Sequence, residues 1–255
     1  MIYYSVSTLM LAGIKDILII TTPEDSKRFM DLLGDGKELG IRVSYEIQPK
    51  PEGIAQALII GEKFIDGHPS ALMLGDNIFH GKDFYKKLKE VNESNNNTIF
   101  CIEVPDPERF GICELDKNQR VISLEEKPII PKSKLAVTGL YFYDSNAAEY
   151  AKKVKRSVRG ELEITDLNIM YMKQNNLFAQ ALYEDFIWID AGTVNSFLDA
   201  GNIVKKIQTQ NQEKISCLEK IAFESGFISA KQVTMLAKKY PKGEYSEYIE
   251  KLVKQ

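Results

Sequence analysis

Short β-branched runs alternate with helical patterns along the first half of the chain, and this alternation constrains the fold more than any other feature. Asp16–Thr21 reads D-I-L-I-I-T, too short for a helix and almost wholly apolar, as a buried strand should be. Thr22 follows as an N-cap, Pro23 as the first helical residue, and Glu24 and Asp25 as acids at the positive end of the helix dipole. Phe29 and Leu33 fall four apart on one face, and Gly34 ends the helix. The cycle then repeats, with strands over 43–47, 71–74 and 98–104 and helices over 53–60 and 84–91. Further strands are expected at 112–115, 121–125, 137–143, 178–183 and 186–189. This is the pattern of an α/β protein, with a mostly parallel, Rossmann-like sheet flanked by helices.

From Thr193 onward the pattern turns helical. Ser229 and Gln232 form a capping box, with Ile228 and Val233 as its hydrophobic staple. Tyr245, Tyr248, Ile249 and Leu252 line one face of a last helix that needs a surface to pack on. The expected organisation is an α/β domain over 1–210 and a C-terminal helical extension over 211–255 packed on it. With 44% hydrophobic and 27% charged residues, a chain of 255 has the material for a core and is not disordered.

Charge and sulfur narrow the chemistry. Lys and Arg total 33 against 36 Asp and Glu, so no broad basic face invites nucleic acid, and a polyanion must be held locally. No apolar run is long enough for a bilayer, and no secretory leader pattern opens the sequence. The three cysteines, Cys101, Cys113 and Cys217, are odd in number and lack a C-x-x-C spacing, which suits packed, reduced thiols in the cytoplasm. His68 and His80 are the only histidines, and there is no G-x-S-x-G elbow. Any metal chemistry falls to carboxylates and a hard cation.

Open α/β sheets bind ligands at the carboxyl ends of their strands, and five places qualify. Leu74-Gly75-Asp76-Asn77 puts a carboxylate just past a strand, although the same residues make an ordinary turn. Trp188-Ile189-Asp190-Ala191-Gly192-Thr193 repeats the arrangement, although Asp190 or Thr193 could equally cap a helix. Two such aspartates, converging, suit Mg²⁺, which takes one or two carboxylates and completes its shell with water and phosphates. Arg159-Gly160-Glu161-Leu162-Glu163-Ile164-Thr165-Asp166 offers a guanidinium to phosphate oxygens or a charged helix start. Glu125-Glu126-Lys127-Pro128 is a charged knot of the kind usually left in solvent. Gln48-Pro49-Lys50-Pro51-Glu52-Gly53 is a stiff connector whose glutamine amide, donor and acceptor together, suits a pyrimidine edge. Neither a Walker loop nor G-x-G-x-x-G is present, since the glycines and Lys37 of 34–40 have the wrong spacing.

In order, L-G-D-N-I-F, R-F-G-I-C-E-L-D, E-E-K-P, V-T-G-L-Y-F-Y-D, R-G-E-L-E-I-T-D and W-I-D-A-G-T closely resemble the glucose-1-phosphate thymidylyltransferases, a group of sugar-nucleotide pyrophosphorylases. The resemblance runs from Met1 to the final helix. It implies the nucleotidyltransferase form of the α/β fold. It also implies attack of glucose 1-phosphate on the α-phosphorus of dTTP, giving dTDP-glucose and pyrophosphate on the way to dTDP-rhamnose and polysaccharides. On the matching positions, Asp76 and Asp190 would hold Mg²⁺, Gln48 and Gly53 would read the base, and Asn77 would lie beside the nucleotide sugar. Gly111, Glu126 and the 137–139 stretch with Val137 would surround the glucose, and Lys127 and Arg159 would grip its phosphate. Phe110 stands where many relatives have tyrosine. A homotetramer is the implied assembly, with no nucleic acid or membrane partner.

One departure is large. Members of the family open with a strand, then G-G-x-G-T-R-L, and a lysine about a dozen residues later. The sequence 1–255 contains none of this, and Met1-Ile2-Tyr3-Tyr4 matches the helix after that lysine. Removing one fixed donor to a transition state costs about 10²–10³ in rate, so catalysis by this chain is expected to be impaired. The missing strand is central in the family's sheet, so Asp16–Thr21 and the 71–74 strand are each expected to keep an unpaired side. The chain alone should then be unstable or rearranged. Alternatives are a non-catalytic nucleotide-sugar-binding or regulatory subunit and a UTP-using uridylyltransferase, because a glutamine pairs with uracil as well as thymine. A metal-dependent glycosyltransferase is weaker, since it gives R-G-E-L-E-I-T-D and E-E-K-P no task.

Overall fold

The computed structural model describes residues 1–183 and 186–254. In chain order the elements are α1 (Ile2–Leu11), β1 (Asp16–Thr21), α2 (Pro23–Leu33), β2 (Arg42–Ile47), α3 (Gln56–Ile60), α4 (Glu62–Ile65), β3 (Ser70–Met73) and β4 (Asn77–Gly81). They continue with α5 (Phe84–Ser94), β5 (Thr98–Glu103), β6 (Gly111–Leu115), β7 (Val121–Glu126), β8 (Leu135–Tyr143), α6 (Ala147–Ala151) and α7 (Ile164–Lys173). The last are β9 (Phe178–Leu182), β10 (Phe186–Asp190), α8 (Val194–Asn211), α9 (Leu218–Glu224), α10 (Ala230–Ala237) and α11 (Glu244–Leu252). Among the described residues no helix is long and apolar enough to cross a membrane.

The architecture is the expected α/β one, a central sheet flanked by helices. Its strand directions are a correction, because they are mixed rather than mostly parallel. Among the described strands only β1–β2 and β5–β9 run parallel, while β3, β5 and β6 all pair antiparallel with β8. The reason lies in the connections. Parallel neighbours need a crossover of about a dozen residues, usually helical, and the links joining β6, β7 and β8 are short and carry no helix. β4 was not legible as a strand. It begins at Asn77, inside the expected turn, and pairs antiparallel with β10.

β1 and β2 stand as a two-stranded unit with no ladder to the main sheet among the described strands. The Gln48 amide donates to the Thr21 carbonyl (2.8 Å), so by strand alternation the amides of Leu18 and Ile20 point away from β2. Likewise the Leu74 amide donates to the Gly139 carbonyl (2.8 Å), which turns the amides of Ala71 and Met73 away from β8. These two free edges border one cavity of about 710 Å³, also lined by Ala57 and Phe142. The unpaired side expected on each strand is present, and no rearranged pairing closes it among the described residues.

Two large apolar clusters dominate the packing among the described residues. One packs α7 and α6 on β5–β9, with Phe-sized side chains such as Tyr143 and Tyr171 fully buried. The other joins Val6 and Met10 of α1, Ile17 of β1 and Val43 of β2 to Ile221, Val233 and Ile249 of the C-terminal helices. The final amphipathic helix thus finds its surface, and the Ser229–Gln232 capping box forms as expected. All three cysteines are buried and free, with Cys101 Sγ 3.3 Å from Cys113 Sγ.

Candidate active site

The antiparallel register of β4 and β10 sets Asp190 opposite Asn77, so Asp76 and Asp190 arrive side by side from distant parts of the chain. The Ala191 amide donates to the Asp76 carbonyl (2.9 Å) and locks the two turns together. Gly192 measures the convergence. A Cβ placed there would lie 3.0 Å from Asp190 Oδ1 and 3.1 Å from Asp76 Oδ2. Each carboxylate has one oxygen tied by a neighbour, Asp190 Oδ1 accepting from the Gly192 amide (3.0 Å) and Asp76 Oδ1 from Asn77 Nδ2 (2.8 Å).

Two converging carboxylates are a hard donor set that fits Mg²⁺, whose preferred ligands are one or two carboxylates with water and phosphate oxygens. Among the described residues no cluster of three or more His, Cys, Asp or Glu offers a fuller cage. Arg109 lies near enough for Asp190 to add to the upward shift of its guanidinium pKa, whose main cause is its bond to Asp106. Its guanidinium sits over the Phe110 ring, 5.3 Å from the centroid.

A second cluster forms across β6, β7 and α7. Gly111 pairs with Glu126, and a Cβ at 111 would meet Glu126 Oε2 (3.3 Å), Thr165 Oγ1 (3.3 Å) and Val137 Cβ (3.9 Å). The Thr165 hydroxyl donates to Glu126 Oε2. Lys127 takes a left-handed conformation (φ 43°), donates its amide to the Phe110 carbonyl (3.0 Å), and holds its Nζ 4.0 Å from Glu126. Arg159 grips Glu163 through Nε (3.1 Å) and Nη2 (2.8 Å), with Glu126 at 3.5 Å and Glu161 at 3.7 Å. Glu163 is the main reason the guanidinium pKa is raised. An incoming phosphate would therefore compete with carboxylates already on this arginine.

Gln48 and Gly53 form a third group. Gln48 Nε2 donates to Gln56 Oε1 (2.7 Å), and Gln56 Nε2 donates to Glu52 (3.0 Å). Contrary to the expectation from sequence, Gly53 does not open a helix: α3 starts at Gln56, because Gly53 sits at φ 109° against the backbone of Leu162. The Arg159 loop and the Gln48 loop are thereby pinned to one another. β8 ties the groups into one surface, since Val137 and Gly139 alternate onto the same face, Val137 beside Gly111 and Gly139 against Asn77.

Of the residues expected from sequence, Asp76 and Asp190 come together, as do Gly111, Glu126, Lys127, Val137 and Arg159. Asn77 is turned inward: it is 2% exposed, and its Oδ1 accepts from Trp188 Nε1 (2.6 Å) and the Gly139 amide (2.9 Å). Sequence reading missed Thr165, Glu163, Gln56, Arg109 and Trp188. Glu163 stands four residues after Arg159, but no helix spans 159–163 to announce the pair.

Comparison with known proteins identifies the family. The model of the family described as "Nucleotidyl transferase" matches residues 1–207. The glucose-1-phosphate thymidylyltransferase of Neisseria meningitidis serogroup A is 49% identical over all of this chain and 89% of its own length. That of Mycolicibacterium smegmatis is 42% identical over 99% of this chain and 88% of its own. A structure from Bacillus anthracis described as a glucose-1-phosphate thymidylyltransferase with sucrose superposes with TM-score 0.70 at 40% identity, over 79% of this chain and 81% of that one. A UDP-glucose pyrophosphorylase with UDP-glucose, at 23% identity and TM-score 0.70 over 80% and 86% of the two chains, shares the fold. The family match over residues 1–207 and the identity along the whole chain lead to one assignment: the chain belongs to the nucleotidyl transferase family, with the glucose-1-phosphate thymidylyltransferases.

Proposed function

We propose that the chain catalyses transfer of a thymidylyl group from dTTP to glucose 1-phosphate, forming dTDP-glucose and pyrophosphate. The observation that carries this reading is the meeting of Asp76 Oδ2 and Asp190 Oδ1 beside Gly192, on the sheet face that also bears Val137 and Gly139. The attacking and accepting groups are both anions, so the site must neutralise charge and hold them in line. Asp76 and Asp190 would hold Mg²⁺, which would supply that neutralisation on the nucleotide phosphates. Gln48 and Gly53 read the pyrimidine, while Asn77 works from behind the nucleotide site. Gly111, Glu126 and Val137 enclose the glucose. Lys127 and Arg159 take its phosphate, Arg159 exchanging Glu163 for phosphate oxygens. The α/β domain over 1–210 carries all these residues. The extension over 211–255 supports it in a homotetramer of the cytoplasm.

A second reading is binding of nucleotide sugars without turnover. It is favoured by the three carboxylates already surrounding Arg159. The deciding experiment gives the purified chain dTTP, glucose 1-phosphate and Mg²⁺ and follows pyrophosphate release, with UTP in parallel. Release that needs both substrates and falls with UTP supports transfer. No release, with calorimetric heat on adding dTDP-glucose, supports binding alone. No release and no heat overturn both.

A further inference from the structure

The Asn77 amide is locked in one direction. Its Oδ1 accepts two hydrogen bonds, from Trp188 Nε1 and from the Gly139 amide, so its Nδ2 is the end left to face Asp76. Flipping the amide would set its oxygen against the carboxylate and its N–H groups against two donors. The seat is tight, because a Cβ on residue 139 would fall 2.6 Å from Asn77 Oδ1. Trp188 is itself held by Phe110, edge-on at 5.2 Å between centroids. The consequence reaches Asp76: its Oδ1 is bound by the amide, and Oδ2 is the oxygen turned toward Asp190.

We propose that Trp188, acting through Asn77, is a positioning residue that fixes the Asp76 carboxylate so that Oδ2 is presented to a divalent cation shared with Asp190. This rests on the metal reading given above and adds to it the device that aims one ligand. Partners that orient a metal's ligands typically govern about 10–100-fold of its affinity. The indole N–H is the operative group, not the ring's bulk.

The chain has a single tryptophan, so its indole N–H gives one resonance and its fluorescence reports one place. The full chain is titrated with Mn²⁺ alone, following free Mn²⁺ by electron paramagnetic resonance, as wild type and as Trp188→Phe, Asp76→Asn and Asp190→Asn. Trp188→Phe keeps an aromatic ring against Phe110 and removes the donor. The expected result is a dissociation constant raised about tenfold in Trp188→Phe and binding lost in both aspartate variants. Wild-type affinity in Trp188→Phe, with binding lost in the aspartate variants, overturns the positioning role and leaves the metal site standing. Aspartate variants that bind like wild type overturn the metal reading itself. Should Trp188→Phe not fold, the wild-type indole resonance decides. A shift on adding Mg²⁺ supports the relay, and an indole peak that stays fixed while the Asp190–Gly192 amides move refutes it.

Discussion

Gly53→Ala tests the joint between the two loops that face the site. Gly53 sits at φ 109°, and an alanine Cβ there would lie 2.4 Å from both the nitrogen and the oxygen of Leu162. Neither atom is a flexible side-chain end, so the backbone must move. The joint also carries two hydrogen bonds, Leu162 N to the Glu52 carbonyl (2.7 Å) and Ala55 N to the Leu162 carbonyl (3.1 Å). Left-handed strain on a non-glycine residue costs about 1–3 kcal/mol, and each hydrogen bond lost about 0.5–1.5 kcal/mol. Together these come to about 2–6 kcal/mol, a large part of the roughly 5–15 kcal/mol that holds a domain folded. Urea unfolding should show it as a midpoint lowered by about 1 M or more. Hydrogen exchange should show the Leu162 amide losing protection. An unchanged midpoint with the Leu162 amide still protected would refute the clash and the reasoning built on it.

Two further outcomes are expected. The amides of Leu18, Ile20, Ala71 and Met73, which face the cavity between β1 and β3, should exchange much faster than those of Phe100 and Cys101 in the doubly paired β5; equal protection would mean the two edges are satisfied in solution. Burial lowers the His80 imidazole pKa below its usual 6.5, with the charge of Glu213 opposing. The folded state therefore favours the neutral ring, and stability should be full above about pH 6.5 and decline as pH falls through the lowered value. Urea midpoints across that window should slope less in His80→Gln, and an NMR titration midpoint for His80 at or above 6.5 would contradict the sign.

The local elements were legible because their signals are local. Thr22-Pro23 and Gly34 bound α2, and Ser229 with Gln232 caps α10. Strand direction was not, because the alternation of strand and helix says nothing about where β8 inserts, and β8 inserts between β5 and the β6–β7 hairpin. β4 stayed hidden because Gly75, Asp76 and Asn77 have the chemistry of a turn and the strand, which starts at Asn77, is only five residues long. Asp76 and Asp190 could be picked out as strand-end carboxylates, and their proximity depends on the β4–β10 register, a long-range fact. Glu163 on Arg159 and Trp188 on Asn77 were illegible for the same reason, since each depends on how distant or non-helical backbone brings two side chains together.

The central claim is that Asp76 and Asp190 share one divalent cation, and anomalous diffraction from crystals soaked in Mn²⁺ tests it most directly. The expected result is a single strong anomalous peak within about 2–2.5 Å of an oxygen from each carboxylate, beside Gly192. Peaks elsewhere on the protein with no density between those two side chains would contradict it.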